Sequence, residues 1–110
     1  MEEHYVAARR TARYYTLDPA GEAREVWFVL HGYGQLAAFF LRHFEAIDDG
    51  HRLVVAPEGL SRFYLPGHQQ VGASWMTKED RLTEIDDYLA YLDALYDRVF
   101  ETLDPSRVSV

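Results

Sequence analysis

Val26-Trp27-Phe28-Val29-Leu30-His31-Gly32-Tyr33-Gly34-Gln35 is the stretch on which the fold turns. Five consecutive apolar residues run straight into a turn punctuated by two glycines. Such a run predicts a strand buried on both faces, the mark of a parallel sheet. Leu36, Phe39, Phe40, His43 and Phe44 follow at spacings of three and four, which predicts a helix over 36–45 with one apolar side. Asp48-Asp49-Gly50 breaks that helix, and Leu53-Val54-Val55-Ala56 is a second short apolar strand that ends at Pro57.

Upstream, residues 4–16 mix Val6, Tyr14, Tyr15 and Thr16 with arginines, the pattern of an exposed or edge strand. Asp18-Pro19-Ala20-Gly21 supplies turn chemistry before the apolar run. Downstream, residues 57–78 show no clear period and contain Phe63, Tyr64, His68 and Trp75, as a pocket-lining loop or a lid on the core would. From Asp80 to about Leu103 the pattern is helical. Leu82, Ile85, Leu89, Leu92, Tyr96, Val99, Phe100 and Leu103 share one stripe, with Thr77 and Asp80 as candidate caps. Arg107-Val108-Ser109-Val110 reads as a third strand. Alternating strands and helices predict one α/β domain over 1–110, a layered sheet with right-handed crossovers and one face short of cover.

Composition narrows the function classes. Eleven basic against eighteen acidic residues give a net charge of −7, a field that repels phosphate backbones, so no nucleic-acid partner is expected. Zero cysteines exclude a disulfide scaffold, a thiolate zinc site and a cysteine nucleophile, and fit a cytoplasmic location. No apolar stretch approaches the roughly 20 residues needed to span a bilayer, and no signal peptide is visible. The scattered histidines show no metal-ligand spacing, so neither a metal nor another cofactor is expected.

Glycines at a strand-to-helix turn let a ligand approach the backbone, and free amides there favour negative charge. His31–Gln35 is therefore a candidate anion or oxyanion cradle. Gly32-x-Gly34-x-x-Ala37 also fits the loose dinucleotide fingerprint, with Glu58 as the acid for a ribose, so a nucleotide-binding α/β domain is one alternative. A non-catalytic interaction module is another.

Taken as a whole, Val29-Leu30-His31-Gly32-Tyr33-Gly34-Gln35 resembles the strand and HG loop of serine esterases in the α/β-hydrolase superfamily. Leu53–Pro57, Ser74-Trp75 before the acidic helix, and Arg107–Val110 continue in the same order. The likeness spans about residues 24–110 and is nearest to the phospholipase/carboxylesterase branch that includes acyl-protein thioesterases. It implies a three-layer, mostly parallel α/β-hydrolase-type sheet, and hydrolysis of a small-molecule carboxylic ester or thioester without a cofactor. It implies that the backbone amide of Tyr33 is half of the oxyanion hole and the catalytic contribution of this chain. Gly32 and Gly34 then permit the turn, His31 braces it, and Gln35 and Trp75 border the substrate. The branch carries its nucleophile in G-x-S-x-G just after the strand matching 107–110, and its aspartate and histidine later still. The expectation is an N-terminal portion truncated before that elbow, inactive alone, and able to self-associate through the uncovered sheet. Two positions differ from acyl-protein thioesterases: Gln35 stands where they place aspartate, and Met76-Thr77 follow the tryptophan where they place an aromatic residue and aspartate. Among the residues present, Gly72-Ala73-Ser74-Trp75-Met76 has half of the elbow pattern and no apolar strand before it.

Overall fold

The period of two along Leu53-Val54-Val55-Ala56 decides how the molecule is layered. The computed structural model describes residues 1–110 and builds the strand as Arg52–Pro57. Its Val54 and Ala56 face one side, with Val29, Ala37 and Leu41, while Val55 faces the other with Val26 and Leu95. Numbered in chain order, the strands are β1 (Tyr14–Leu17), β2 (Glu25–Phe28), β3 (Arg52–Pro57), β4 (Ser61–Tyr64) and β5 (Val71–Ser74). The helices are α1 (Ala37–Leu41), continued by a 3-10 segment Arg42–Ile47, and α2 (Arg81–Val99). A 3-10 turn at Pro105–Arg107 follows, with Asp104 accepting from the Ser106 amide at 3.0 Å.

β3 is the central strand of a three-stranded sheet ordered β1-β3-β2. It runs antiparallel to β1, with Tyr15 opposite Ala56, and parallel to β2, with Trp27 opposite Val54. β4 and β5 form a separate antiparallel pair, with Phe63 opposite Gly72. α1 covers the Val54 face and α2 the Val55 face.

These pairings correct the expected fold class. The molecule has two small sheets, one mixed and one antiparallel, and two α-helices, instead of a mostly parallel three-layer α/β-hydrolase-type sheet. Only the β2–β3 pair is parallel. One reason is the supposed loop 57–78, which folds back at Gly67 and His68, both at positive φ, and so becomes a hairpin. Another is Arg107–Val110, which contributes a single parallel bridge, Ser109 to Glu25, in place of a strand. The apolar run is also less enclosed than predicted. Val26 and Val29 are buried but Trp27 and Leu30 are not. Trp27 is shielded by the Arg52 guanidinium 4.4 Å above its ring and by the edge of Phe44 at 6.4 Å.

α2 keeps the C-terminal part of the predicted stripe, with Val99, Phe100 and Leu103 packed against the Val26–Val55–Leu95 cluster. It departs from it elsewhere: Leu95, outside that stripe, is its buried residue, whereas Leu82, Leu89 and Tyr96 are exposed. Tyr88 and Tyr91 face inward, where both rings meet Trp75 with centroids at 5.5 and 6.3 Å. Asp80, at φ 52°, precedes the helix without capping its amides.

Burial predicts opposite outcomes for two leucines on one helix. Leu95→Ala, at 4% exposure between Val26 and Val55, should lower unfolding free energy by about 2–5 kcal/mol. Leu82→Ala, at 73% exposure, should change it by no more than about 0.5 kcal/mol in denaturant titration. Equal losses at the two positions would contradict this orientation of α2.

Candidate functional site

The β3 strand ends at Pro57, and the next side chain, Glu58, enters the interior as a carboxylate with no exposed surface. A buried charge is tolerated only when its oxygens are fully engaged. Arg13 donates to it through Nε at 2.6 Å and through Nη2 at 3.2 Å. Arg62 Nε donates at 2.8 Å, and the Ala37 amide, at the start of α1, donates at 3.2 Å. Burial pushes the Glu58 carboxyl upward, but the bonds from Arg13, Arg62 and the Ala37 amide outweigh it and hold the group below the ordinary glutamate range. Its backbone is engaged as well. The Glu58 N–H donates to the Arg13 carbonyl at 3.1 Å, and the Tyr91 hydroxyl lies 3.2 Å from the carbonyls of both Glu58 and Arg13. Burial drives the Tyr91 phenol up to about 12, so it stays a donor at neutral pH.

The next amide, that of Gly59, donates to His31 Nε2 at 2.9 Å. A ring nitrogen that accepts this bond leaves Nδ1 as the protonated one, and Nδ1 lies 2.8 Å from the Gly32 carbonyl. Both imidazole nitrogens are thus occupied, and His31 fixes the turn instead of exchanging protons. Trp75 packs against the ring at 5.2 Å and donates through Nε1 to the His31 carbonyl at 2.9 Å. Trp75 therefore lies against the turn as a prop.

Gly32, Tyr33, Gly34 and Gln35 are brought together in one turn, with Gly34 at φ 78°. Gln35 closes it: Oε1 accepts from the Gly32 amide at 2.6 Å, and its own amide donates to the Gly32 carbonyl at 3.2 Å. The turn is stitched to β5, because the Gly34 amide donates to the Ala73 carbonyl at 2.9 Å and the Ala73 amide donates to the Gln35 carbonyl at 3.0 Å. Gly72 permits this approach, since a Cβ there would lie 2.3 Å from the Gly34 carbonyl oxygen. Among the four residues Gly32–Gln35, Tyr33 alone has an amide without a protein acceptor. Its phenol ring is exposed and leans on Phe63 at 5.1 Å.

The elbow-like serine is occupied: Ser74 is buried and its Oγ donates to the Met76 carbonyl at 3.2 Å. Glu58 cannot serve a ribose while both its oxygens hold arginines and the α1 amide. Sequence reading weighed Glu58 only for that role and missed Arg13, Arg62, Gly72 and Tyr91. The available signal was an acidic residue directly after the proline of a buried strand, with Arg62 four positions on. No group of three or more His, Asp or Glu side chains converges for metal binding, and no helix is long and apolar enough to cross a membrane. No protein-family model matches the chain, and no curated protein matches it.

Two substitutions test this site. Glu58→Gln removes the charge that two arginines face and should cost about 3–5 kcal/mol at pH 7. Because the folded-state pKa is depressed, the carboxylate's contribution is present above the ordinary value of about 4.3 and lost as pH falls through the lower folded value. Urea titrations between pH 7 and 3 should therefore show the gap between wild type and Glu58→Gln closing as acid is added, and a constant gap would refute the assignment. Gly72→Ala should cost about 1–3 kcal/mol or more by forcing β5 off the turn, whereas Gly67→Ala, with open space around it, bears only the cost of its positive φ.

Proposed function

We propose that this chain carries an oxyanion-stabilising element of a serine esterase, with the Tyr33 amide as one of the two donors that meet the carbonyl oxygen of an ester or thioester. One observation carries the reading: the turn engages the amides of Gly32, Gly34 and Gln35 and leaves that of Tyr33 without an acceptor. The likeness of Val29–Gln35 to the strand and HG loop of serine esterases supports the same assignment.

When a nucleophile adds to an ester carbonyl, the oxygen becomes a full negative charge. A donor already aimed at that oxygen lowers the barrier without reorganising, and such a donor contributes about 10²- to 10³-fold in turnover. Tyr33 acts through its backbone. Gln35 holds the curvature, His31 and Trp75 hold the incoming strand end, and Ala73 holds the outgoing one. Neither Ser74 nor His31 is available for the chemistry: Ser74 is buried on the Met76 carbonyl, and both nitrogens of His31 are engaged. The chain by itself binds the acyl group without turning it over. The absence of cysteine suits a reducing cytoplasm.

The test is binding of a tetrahedral anion. Hexyl methylphosphonate, with one negative charge on a tetrahedral centre, copies the intermediate, and its titration should move the Tyr33 amide proton downfield in heteronuclear NMR. Replacing Tyr33 by its α-hydroxy acid removes the N–H and also weakens the Gly32 carbonyl as an acceptor; with the Gln35 and Ala73 resonances unmoved, so that the turn is intact, it should weaken binding by about 10- to 100-fold. Tyr33→Phe should bind like wild type. Loss in the phenylalanine variant at unchanged thermal stability would move the role to the phenol, and an unmoved Tyr33 amide would defeat the proposal.

A further inference from the structure

Along β1 the side chains alternate. Tyr15 and Leu17 pack on the α1 side of the sheet, which turns Tyr14 and Thr16 toward the α2 side. On that side, between β1 and the end of α2, lies a cavity of about 610 Å³, within the size range of small-molecule sites. It sits at the Leu53 end of β3, opposite the end that leads to Glu58, and is separate from the Tyr33 turn. Leu53, Val99 and Leu103 give it an apolar floor, continuous with the Val26–Val55–Leu95 cluster. Asp18 borders it from the turn after β1, and Arg98, Glu101 and Thr102 border it from the end of α2. The charges around this space do not balance. Arg98 and Glu101 face each other at 4.0 Å and offset one another. Asp18 has no cation beside it: one carboxylate oxygen accepts from the Thr16 hydroxyl at 2.9 Å, and the other has no protein partner. The last carbonyls of α2 add partial negative charge at the same place.

We propose that this cavity binds a small amphipathic primary amine, with its ammonium at Asp18 and its apolar body along Leu53, Val99 and Leu103. The floor rewards hydrocarbon, and the unpaired carboxylate selects the head group. An ammonium carries three donors. The free oxygen of Asp18 takes one, and the hydroxyls of Tyr14 and Thr102, which have no protein partners, offer acceptors for the others. A quaternary ammonium would leave those hydroxyls unused. An anionic ligand is disfavoured by Asp18, by the carbonyl end of α2 and by the net charge of −7, which attracts a cation instead. These residues carry the proposal alone, and it does not depend on the Tyr33 reading.

Hexylammonium, 1-hexanol and hexanoate share one tail and differ in head group, so their titration into the 110-residue chain by NMR tests the assignment. Hexylammonium should move the methyl resonances of Leu53, Val99 and Leu103. It should bind about 5- to 10-fold tighter than hexanol, with hexanoate weakest. Butylammonium, with two fewer methylenes on the floor, should bind about fourfold more weakly or worse. Asp18→Asn keeps an acceptor for Thr16 and removes the charge, so it should bring hexylammonium to the level of hexanol and leave hexanol unchanged. Asp93→Asn removes an equal charge from an exposed position of α2 outside the cavity and should preserve the head-group preference. Thr102→Trp should weaken hexylammonium and hexanol alike by filling the space. A preference that survives Asp18→Asn, or that Asp93→Asn removes equally, reduces the attraction to the overall charge of the chain and overturns the proposal. Equal binding of hexylammonium and hexanol, or floor methyls that stay still, overturns it as well.

Discussion

The buried carboxylate of Glu58 is the constraint on which the rest of the structure depends. It sits where the central strand ends, and it collects groups from four other places in the chain: Arg13 before β1, Ala37 at the start of α1, Arg62 in β4, and Tyr91 of α2 through its backbone carbonyl. The core is small, with 15 of 110 residues buried, so hydrophobic area alone specifies the arrangement weakly. A buried ion cluster adds little net stability, because desolvation offsets most of the attraction. What it adds is selectivity. Any packing that separates both guanidinium groups from Glu58 leaves its buried carboxylate without a cation, and such packings are penalised more than their loss of apolar contact.

From this anchor the order passes along two residues to the turn. Glu58 fixes the backbone direction, Gly59 offers its amide to His31, and His31 reaches the Gly32 carbonyl. Gly59 has to be glycine, since a Cβ there would stand 2.6 Å from the Ser74 carbonyl oxygen at the end of β5. The turn is therefore held from below by the end of β3 and from the side by β5. Both contacts trace back to backbone segments whose side chains are buried. A loop held in this way keeps its amide directions without a ligand present, which is the condition for preorganised charge stabilisation.

Sequence reading reached the parts that local pattern determines. The Leu53–Ala56 strand lies inside β3, the first three residues of the apolar run Val26–Leu30 lie inside β2, and α2 occupies most of 80–103. It failed where partners are distant in sequence. The antiparallel pairing of β1 with β3 joins residues about forty positions apart, and the periodicity of either strand carries no information on direction. The hairpin at 61–74 was hidden because its turn, Pro66-Gly67-His68, sits among glutamines and short apolar pieces without strict alternation. Arg13 and Glu58 are forty-five residues apart, so their pairing had no local signature. The facing of α2 departs from the apolar stripe because Tyr88 and Tyr91, outside it, carry contacts that the spacing of apolar residues does not register: the Tyr91 hydroxyl reaches the Glu58 carbonyl, and both rings meet Trp75.

The free amide of Tyr33 is also the least costly one in the turn to leave free. A donor without a partner is expensive only where water is excluded, and Tyr33 is 74% exposed. The Gly32 amide, bonded to Gln35 at 2.6 Å, would have to surrender a short bond before it could meet an oxyanion. The Gly34 amide would have to release β5. Tyr33 has only solvent to exchange, so its donor is ready at the smallest energetic cost. Gln35 matters for the same reason: its side-chain oxygen holds the Gly32 amide at 2.6 Å, so the turn stays closed while the Tyr33 amide has no protein acceptor.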